Sequence, residues 1–388
     1  MTALVAILLA PFAVLTLFFL IEVLAGLPSL RPARFEANAG SAVIVVPAHD
    51  EAEVIGETLR ALIDSLSPGM RLLVVADNCT DSTAEAARAM GVEVLERNDI
   101  ERRGKGFALA FAADHLRSDP PDIFGVMDAD CAIDQASLQA LVGSAHASGG
   151  PAQAVNLLRP DRGAPPLVQL SNFAFVLKNL VRQRGLQRLA GRVHLTGTGM
   201  AMPFGLFQIS GDTRSSIVED LALGLDLADA GHPPKLVGNA FVWSGSASEQ
   251  GTLVQRRRWE GGFLATALRQ GPKEAWHGLV RGKPRAILAG LDLMVPPLAL
   301  FAVLNVAALL VAAALVFASG ASWWPVIAQF VLLALALVAV LVAWAREGRD
   351  FISLGVLARL PLYVMWKVPM YLGLARRGTP KEWLRTGR

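Results

Sequence analysis

Two parts of the chain are continuously apolar, and a region of mixed polarity separates them. Residues 1–21 and 293–345 contain no charged side chain. A helix needs about 20 apolar residues to cross the hydrocarbon core of a bilayer. The first run is therefore long enough for one crossing and the second for two, with a turn at residues 319–325 that contains two tryptophans. We predict a transmembrane helix within residues 1–30 and a transmembrane hairpin over 291–345.

A cleaved signal peptide is the alternative interpretation of the first apolar run. Signal peptides begin with a positively charged segment, and their apolar region is about 7–15 residues long. Here no Lys or Arg precedes the run, and the run is longer than that. The sequence therefore favours a membrane anchor.

The basic residues that flank the apolar runs predict the orientation of the protein. Cytoplasmic loops carry an excess of Lys and Arg. If the central region is cytoplasmic, the charges at all three flanks fall on one side, and the uncharged turn falls on the other. We therefore expect a multi-pass protein of a bacterial-type inner (plasma) membrane whose central domain is cytoplasmic. The flanking residues are Arg31, Arg34, Arg281, Lys283, Arg285, Arg346 and Arg349.

The C-terminal region is apolar but interrupted. Residues 351–375 contain Arg359, Pro361, Lys367 and Pro369, and a basic tail follows them. A fourth crossing would place this tail on the outer side. We therefore predict interfacial or re-entrant helices with a basic tail over 350–388, and an interfacial or linker segment over 271–290, with a fourth crossing left open.

Composition agrees with one globular domain joined to membrane elements. Of 388 residues, 53% are hydrophobic and 18% are charged, which is more apolar than an ordinary soluble protein. The net charge of +3 favours anionic lipid headgroups as partners, and no nucleic acid is expected. The two cysteines, Cys79 and Cys131, indicate a reduced compartment without a disulfide framework.

Between the apolar runs, buried strands alternate with amphipathic helices. This alternation predicts an α/β domain over residues 40–270 with a mostly parallel sheet, whose ligands bind at the carboxyl ends of the strands. The predicted strands cover 42–47, 72–76, 92–95 and 123–127, and the predicted helices cover 52–66, 82–90, 105–117, 221–230 and a segment that begins near residue 249.

Acidic side chains follow the ends of these strands. Asp77 follows the second strand, and Asp128 and Asp130 follow the fourth, so we expect all three at one edge of the sheet. Neighbouring carboxylates repel each other unless a cation lies between them. Mg²⁺ or Mn²⁺ prefers such oxygen ligands, so a divalent-metal site is predicted here. We interpret Asp81 as a helix cap.

Three further segments have ordinary structural explanations when each is considered alone. Residues 102–106 form a basic loop before a helix, although Lys105 lies where a helix N-terminus would favour phosphate. Glu219 and Asp220 suit a helix N-terminus. Residues 255–259 contain three arginines and a tryptophan, which in isolation indicate a membrane-surface patch.

Taken in order, these motifs resemble those of the membrane-bound family-2 glycosyltransferases, the group that contains cellulose, chitin and hyaluronan synthases. The resemblance covers residues 40–270 and implies a nucleotide-diphospho-sugar transferase domain of GT-A type. It implies that Asp77 binds the nucleotide base, that Asp128 and Asp130 form the D-x-D motif with the metal on Asp130, and that Asp220 is the general base. The remaining substrate-binding residues that it implies are Pro47, Glu51, Lys105, Gly197, Glu219, Gln255, Arg258 and Trp259.

The activity that this resemblance implies is inverting, metal-dependent transfer of a sugar to a membrane lipid or lipid-linked saccharide. The expected donor is a nucleotide sugar, with UDP as the expected nucleotide. Three positions depart from the family pattern, namely Asp50, Ala76 and Val218, and none of them removes a group that the chemistry requires.

Three alternatives stay open. A processive exopolysaccharide synthase would need more membrane helices than three to wall an export channel. A nucleotidyltransferase would need a glycine-rich loop after the first strand, where residues 47–51 read PAHDE. A non-catalytic membrane scaffold would not need Asp130, Asp220 and Arg258. On helix geometry we also expect Arg256 and Arg257 to contact the bilayer while Arg258 faces the site.

Overall fold

The structure is a computed structural model that describes residues 1–32, 40–209, 219–245 and 249–378. Predictions that involve Arg34, Val218 or the basic tail after residue 378 lie outside these residues. The helices are α1 Thr2–Gly26, α2 Ile55–Ser65, α3 Thr83–Ala89, α4 Lys105–His115, α5 Gln135–Ser148, α6 Pro166–Val176, α7 Gln183–Ala190, α8 Phe204–Ile209, α9 Glu219–Asp229, α10 Glu249–Val280, α11 Pro284–Met294, α12 Leu298–Ser319, α13 Trp324–Ala343, α14 Leu354–Leu357 and α15 Leu360–Arg377.

The described residues form an eight-stranded sheet in the order β3-β2-β1-β4-β7-β6-β8-β5. The pairs β1–β2, β2–β3, β1–β4 and β6–β8 are parallel, whereas β4–β7, β6–β7 and β5–β8 are antiparallel. The predicted α/β class with a mostly parallel sheet is therefore confirmed. The strands are β1 Ala42–Ala48, β2 Met70–Asp77, β3 Glu93–Arg97, β4 Ile123–Val126, β5 Cys131–Ile133, β6 Ala152–Leu158, β7 Met200–Pro203 and β8 Lys235–Ser244.

The central strand β1 is buried on both faces of the sheet. Successive side chains of a strand point to opposite faces, and β1 contributes Ile44 and Val46 to one core and Val43 and Val45 to the other. The first core includes residues of α2 and α5, and the second includes residues of α4, α8 and α9. This two-sided burial is the reason why β1 has a continuous apolar sequence.

A single long helical segment connects the sheet to the membrane-side helices. Helix α6 continues through a π-helical turn at Leu177–Arg182 directly into α7. Such π turns occur frequently at functional sites. Helix α1 crosses this segment at two glycines: a Cβ atom on Gly26 would overlap the Val181 carbonyl, and one on Gly185 would overlap the Glu22 carbonyl. The two backbones are therefore in direct contact.

Three described helices are long and apolar enough to cross a membrane, namely Thr2–Gly26, Leu298–Ser319 and the segment Trp324–Gly348. Many of their large apolar side chains are exposed. Between the helices, three buried polar side chains form hydrogen bonds. Gln329 donates to Asn305 Oδ1 (2.7 Å) and to Thr16 Oγ1 (3.2 Å), which links all three segments.

The segments before and after the hairpin pack against the globular domain. Helix α10 is continuous from Glu249 to Val280, so the domain boundary that we predicted at residue 270 falls within one helix, and α11 packs against it. Helix α15 contributes Tyr363 and Tyr371 to a core shared with β6 and α6. It is not among the described helices that are long and apolar enough to span a membrane.

Candidate active site

The carboxyl ends of β1, β2 and β4 meet at one edge of the sheet, as predicted. In register, Ala48 pairs with Ala76 and Val45 pairs with Val126, so the residues that follow each strand leave the sheet on the same side. Asp77 ends β2, and Asp128 lies two residues after β4. Pro47 is buried within β1, and Glu51 lies in the loop that follows, where its backbone N–H donates to Thr83 Oγ1 at 2.8 Å.

Asp77 is held by an arginine that the sequence analysis did not identify. Arg97, at the end of β3, lies opposite Asp77 in the strand register and donates to its Oδ1 at 2.6 Å. Asn78 donates to the same oxygen at 3.0 Å. Both charged side chains are buried, so this is a desolvated ion pair. The signal that could have revealed Arg97 was a basic residue at the end of the neighbouring strand.

Lys105, Asp128, Gly197 and Asp220 lie together. The Lys105 ammonium, in the first turn of α4, donates to the Asp128 carboxylate and to the Gly197 carbonyl (2.7 Å). A Cβ atom on Gly197 would lie 3.2 Å from Asp220 Oδ2 and 3.4 Å from Lys105 Nζ. Since Gly197 has φ +80°, both its conformation and this crowding favour glycine. The structure thus brings four sequence-predicted residues from separate segments into one site.

A second missed residue shapes the turn that contains Gly197. Gln153 is a buried amide in the otherwise apolar strand β6. Its Nε2 donates to the carbonyls of Thr198 (2.9 Å) and Gly199 (3.1 Å), and its Oε1 accepts from the Thr196 N–H (2.9 Å). Thr198 Oγ1 in turn accepts from the Asp128 N–H at 3.0 Å. Gln153 therefore fixes the loop on which Lys105 and Asp128 converge.

Asp220 is a partly buried carboxylate in the first turn of α9, and its Oδ1 accepts from the Leu221 N–H at 2.8 Å. Desolvation raises the pKa of Asp220 above its usual value, although the Leu221 hydrogen bond and the charges of Lys105 and Lys178 oppose the rise. A carboxylate with a raised pKa is a better proton acceptor, so this environment suits a general base.

The acidic loop after β4 has the ligands for a divalent cation. Ligand atoms of Asp128, Asp130 and Cys131 lie within 4.8 Å of one another. Burial, together with the nearby carboxylates, raises the pKa of the Cys131 thiol, which therefore stays protonated. The two carboxylates remain as hard oxygen ligands that suit Mg²⁺ or Mn²⁺. His49, Asp50 and Cys79 form a second group of comparable spacing on the β1 and β2 loops.

Helix α10 corrects one of our predictions. We expected Arg256 to contact the bilayer, but it is 6% exposed and donates to Ser171 Oγ and to the Ser171 carbonyl, both at 2.9 Å. Its guanidinium also lies over the rings of Phe175 (5.0 Å) and Trp259 (5.5 Å). The helix packs against α6 on this face, which the local sequence does not indicate.

The substrate-binding roles that we predicted for the other residues near Arg256, and for Glu219, stay predictions. Trp259 is partly buried and stacks on Phe175, with ring centroids 5.6 Å apart. Arg258 is partly buried on the same helix. The side chains of Gln255 and Glu219 lie outside the part of the chain that the structure describes, and only their helical backbones are seen.

A cavity opens between α10, the π turn, α11 and α15, beside the start of α12. Two of its lining residues are Lys178 and Trp259, and Lys178 connects the cavity to the residues described above, because its charge acts on Asp220. The other lining residues are Ala174, Arg182, Gln183, Leu186, His194, Arg256, Glu260, Phe263, Asp292, Val295, Pro297, Leu298, Ala299, Tyr363 and Lys367.

Comparison with known proteins gives three findings. Residues 39–262 match the family described as "Glycosyltransferase like family 2". A segment is 30% identical over 142 residues to glycosyltransferase AglD of Haloferax volcanii, which is 34% of this chain and 22% of that protein. The match therefore spans about a fifth of that relative's length.

A solved structure has the same overall fold. The mannosyltransferase PcManGT from Pyrobaculum calidifontis, in complex with GDP-Man and Mn²⁺, superposes with a TM-score of 0.58 at 18% identity. The superposition covers 97% of this chain and 99% of that one, so it includes the apolar helices as well as the sheet domain.

Proposed function

This chain belongs to the glycosyltransferase-like family 2, and on that premise we propose that it is an inverting enzyme that moves a sugar from a nucleotide-sugar donor to a lipid or lipid-linked saccharide at a membrane. The observation on which the proposal rests is the placement of Asp220. A desolvated carboxylate lies against Gly197 and is influenced by Lys105, which itself holds Asp128.

Asp220 acts as the general base. It takes the proton of an acceptor hydroxyl while the hydroxyl oxygen attacks the anomeric carbon from the face opposite the leaving diphosphate. The oxygen–carbon bond forms as the bond from carbon to diphosphate breaks. A single base without a covalent nucleophile gives inversion, as in inverting glycoside chemistry. The raised pKa of Asp220 supports this role.

The donor lies at the carboxyl edge of the sheet. Asp77, oriented by Arg97, contacts the nucleotide base, and Lys105 and Arg258 contact the diphosphate. Asp128 and Asp130 would hold a Mg²⁺ or Mn²⁺ ion, which when bound would supply positive charge to stabilise the leaving group. Two observations support this assignment, namely the clustering of the carboxylates and the GDP-Man and Mn²⁺ in the mannosyltransferase of the same fold.

The acceptor reaches Asp220 from the bilayer. Three apolar helices anchor the enzyme with its sheet domain in the cytoplasm, and the cavity lined by Trp259 opens next to the start of α12. Trp259 borders the acceptor, because an aromatic ring with a polar edge suits a sugar near the membrane interface. We propose a single sugar addition rather than processive synthesis.

The test is to incubate the detergent-purified full-length protein with Mn²⁺, a lipid extract and a panel of nucleotide sugars. Released nucleoside diphosphate identifies the donor, and NMR of the glycolipid product gives its anomeric configuration. We expect one donor to be consumed only when lipid is present, with inversion at the anomeric carbon. Retention of configuration would contradict Asp220 as a simple base, and transfer to a soluble sugar alone would contradict the lipid acceptor.

A further inference from the structure

We infer that the cavity beside Asp220 binds the phosphate of a phosphate-bearing lipid acceptor, and that Lys178 is the residue that holds this phosphate. The inference rests on the proposed function and narrows its acceptor from lipids in general to anionic lipids whose reacting hydroxyl lies within a few bonds of a phosphate.

Lys178 is a cation without an anionic partner among the described residues. It lies in the π turn between α6 and α7, and its side chain is exposed to the cavity that it lines. No described carboxylate lies within ion-pair distance of its ammonium, which lies 5.8 Å from the centroid of the Phe263 ring. A lysine that faces a cavity without an anionic partner favours an anionic ligand, because a phosphate oxygen would accept a charge-assisted hydrogen bond from its ammonium.

The other cations of the cavity are already engaged, which singles out Lys178. Arg182 donates to Glu22 (2.6 Å) and Asp292 (2.7 Å). Lys367 pairs with Glu260, and Arg256 is held by Ser171. The four cations that line the cavity outnumber its two carboxylates, so the cavity remains positively charged even with these pairs in place.

The position of Lys178 restricts which kind of molecule can carry the bound phosphate. Lys178 lies over the ring of Phe263, and Phe263 packs against Leu221, the residue next to Asp220 in α9. A phosphate on Lys178 would therefore lie near the hydroxyl that Asp220 would deprotonate. On another side, Val295, Leu298 and Ala299 line the cavity at the start of α12. These apolar residues offer a path for an acyl or isoprenoid chain, which favours a lipid over a soluble phosphate ester.

Binding to the full-length protein in detergent micelles tests the inference. Phosphatidylglycerol is compared with diacylglycerol, which has the same tails and no phosphate, and glycerol phosphate serves as the soluble competitor. We expect the wild type to prefer phosphatidylglycerol by about tenfold or more, as for a hydrogen bond to a charged group. Lys178→Gln should lose this preference and Lys178→Arg should keep it, whereas Lys273→Gln, an exposed cation of α10 outside the cavity, should behave like wild type.

Several results would overturn the inference. These are equal binding of the two lipids by the wild type, an undiminished preference in Lys178→Gln, and displacement of phosphatidylglycerol by glycerol phosphate at matched concentration. The affinity for the nucleotide sugar is measured in parallel in the presence of Mn²⁺. Weaker binding of the nucleotide sugar by Lys178→Gln would indicate that Lys178 binds the donor and not the lipid. If no nucleotide sugar is consumed while the lipid preference persists, the proposed function fails and the anionic-lipid cavity stands.

Discussion

The carboxyl edge of the sheet and the cavity near the membrane helices are both rich in charge, but their balance is opposite. At the edge, Arg97 and Lys105 each pair with an aspartate, and further carboxylates such as Asp130 leave the region acidic. In the cavity, carboxylates pair with Arg182 and Lys367, and Ser171 holds Arg256. Lys178 has no anionic partner among the described residues. The edge is therefore suited to a bound cation and the cavity to a bound anion.

For the proposed enzyme, this difference indicates how one site would accept two negatively charged substrates. A nucleotide diphosphate and a lipid phosphate repel each other, so the protein must neutralise them separately. A metal at the edge would serve the donor, and Lys178 would serve the acceptor. Asp220 lies against Gly197 on one side, and its neighbour Leu221 packs against Phe263 of the cavity on the other. One lysine from each region, Lys105 and Lys178, lowers its pKa. Substitutions at the edge of the sheet and in the cavity can therefore test the two regions separately.

The largest effect is expected at the acidic edge. Asp130→Ala should abolish metal-dependent donor binding, because the remaining carboxylate cannot hold the ion and the diphosphate together. Titration calorimetry with nucleotide sugar and Mn²⁺ measures this, and a chelator should reproduce the loss in the wild type. Asp119→Ala, at an exposed carboxylate on the far end of the sheet, is the control. Full donor binding by Asp130→Ala would mean that the loop is structural.

Asp220→Asn, at the boundary of the two regions, should lower kcat by about 10²–10⁴-fold while donor affinity stays nearly unchanged. The amide keeps the shape of the side chain and cannot accept the proton. Steady-state kinetics with saturating acceptor measures kcat, and Asp226→Asn, an exposed aspartate on the same helix, is the matched control. A near-normal kcat in Asp220→Asn would remove it from the chemistry.

The pH profile of kcat should also reflect both regions. Only ionised Asp220 accepts a proton, and its pKa is raised, so kcat should begin to fall at a higher pH than an ordinary aspartate would give, by about tenfold per unit below that pKa. Lys178→Gln removes a charge that lowers this pKa, so the acidic limb should move to higher pH. Lys273→Gln should leave it in place. If the acidic limb of the kcat profile does not move in Lys178→Gln, the charge of Lys178 does not act on Asp220.

The smallest effect is expected in the wall of the cavity. Arg256→Lys loses two hydrogen bonds to Ser171 and the contacts of a planar guanidinium with two rings. We expect a loss of about 1–3 kcal/mol in the free energy of unfolding with donor affinity preserved. Thermal denaturation in detergent measures it against Arg269→Lys, an exposed arginine of α10. Unchanged stability would restore our original view of Arg256 as a lipid-facing residue.

The sequence predicted the edge of the sheet well and the cavity poorly, for a physical reason. Strand β1 has a continuous apolar pattern, and Asp77 and Asp128 directly follow strands, so local pattern and parallel topology suffice to bring them together. Lys178 and Gln153 acquire their roles only through contacts with distant segments. Arg256 was misjudged because its partner Ser171 is 85 residues away, and no periodicity in α10 reveals which face packs against α6.

The contact between Gly26 and the helix that contains Lys178 and Gly185 has a consequence for which acceptors can react. Because backbone touches backbone there, a change in the tilt of α1 would be transmitted to the helix that carries Lys178. Transmembrane helices adjust their tilt to bilayer thickness. In the proposed membrane-anchored enzyme, the height of Lys178 above the hydrocarbon would thus depend on the thickness of the host membrane. Among lipids of equal headgroup chemistry, the enzyme would select those whose hydroxyl projects to that height.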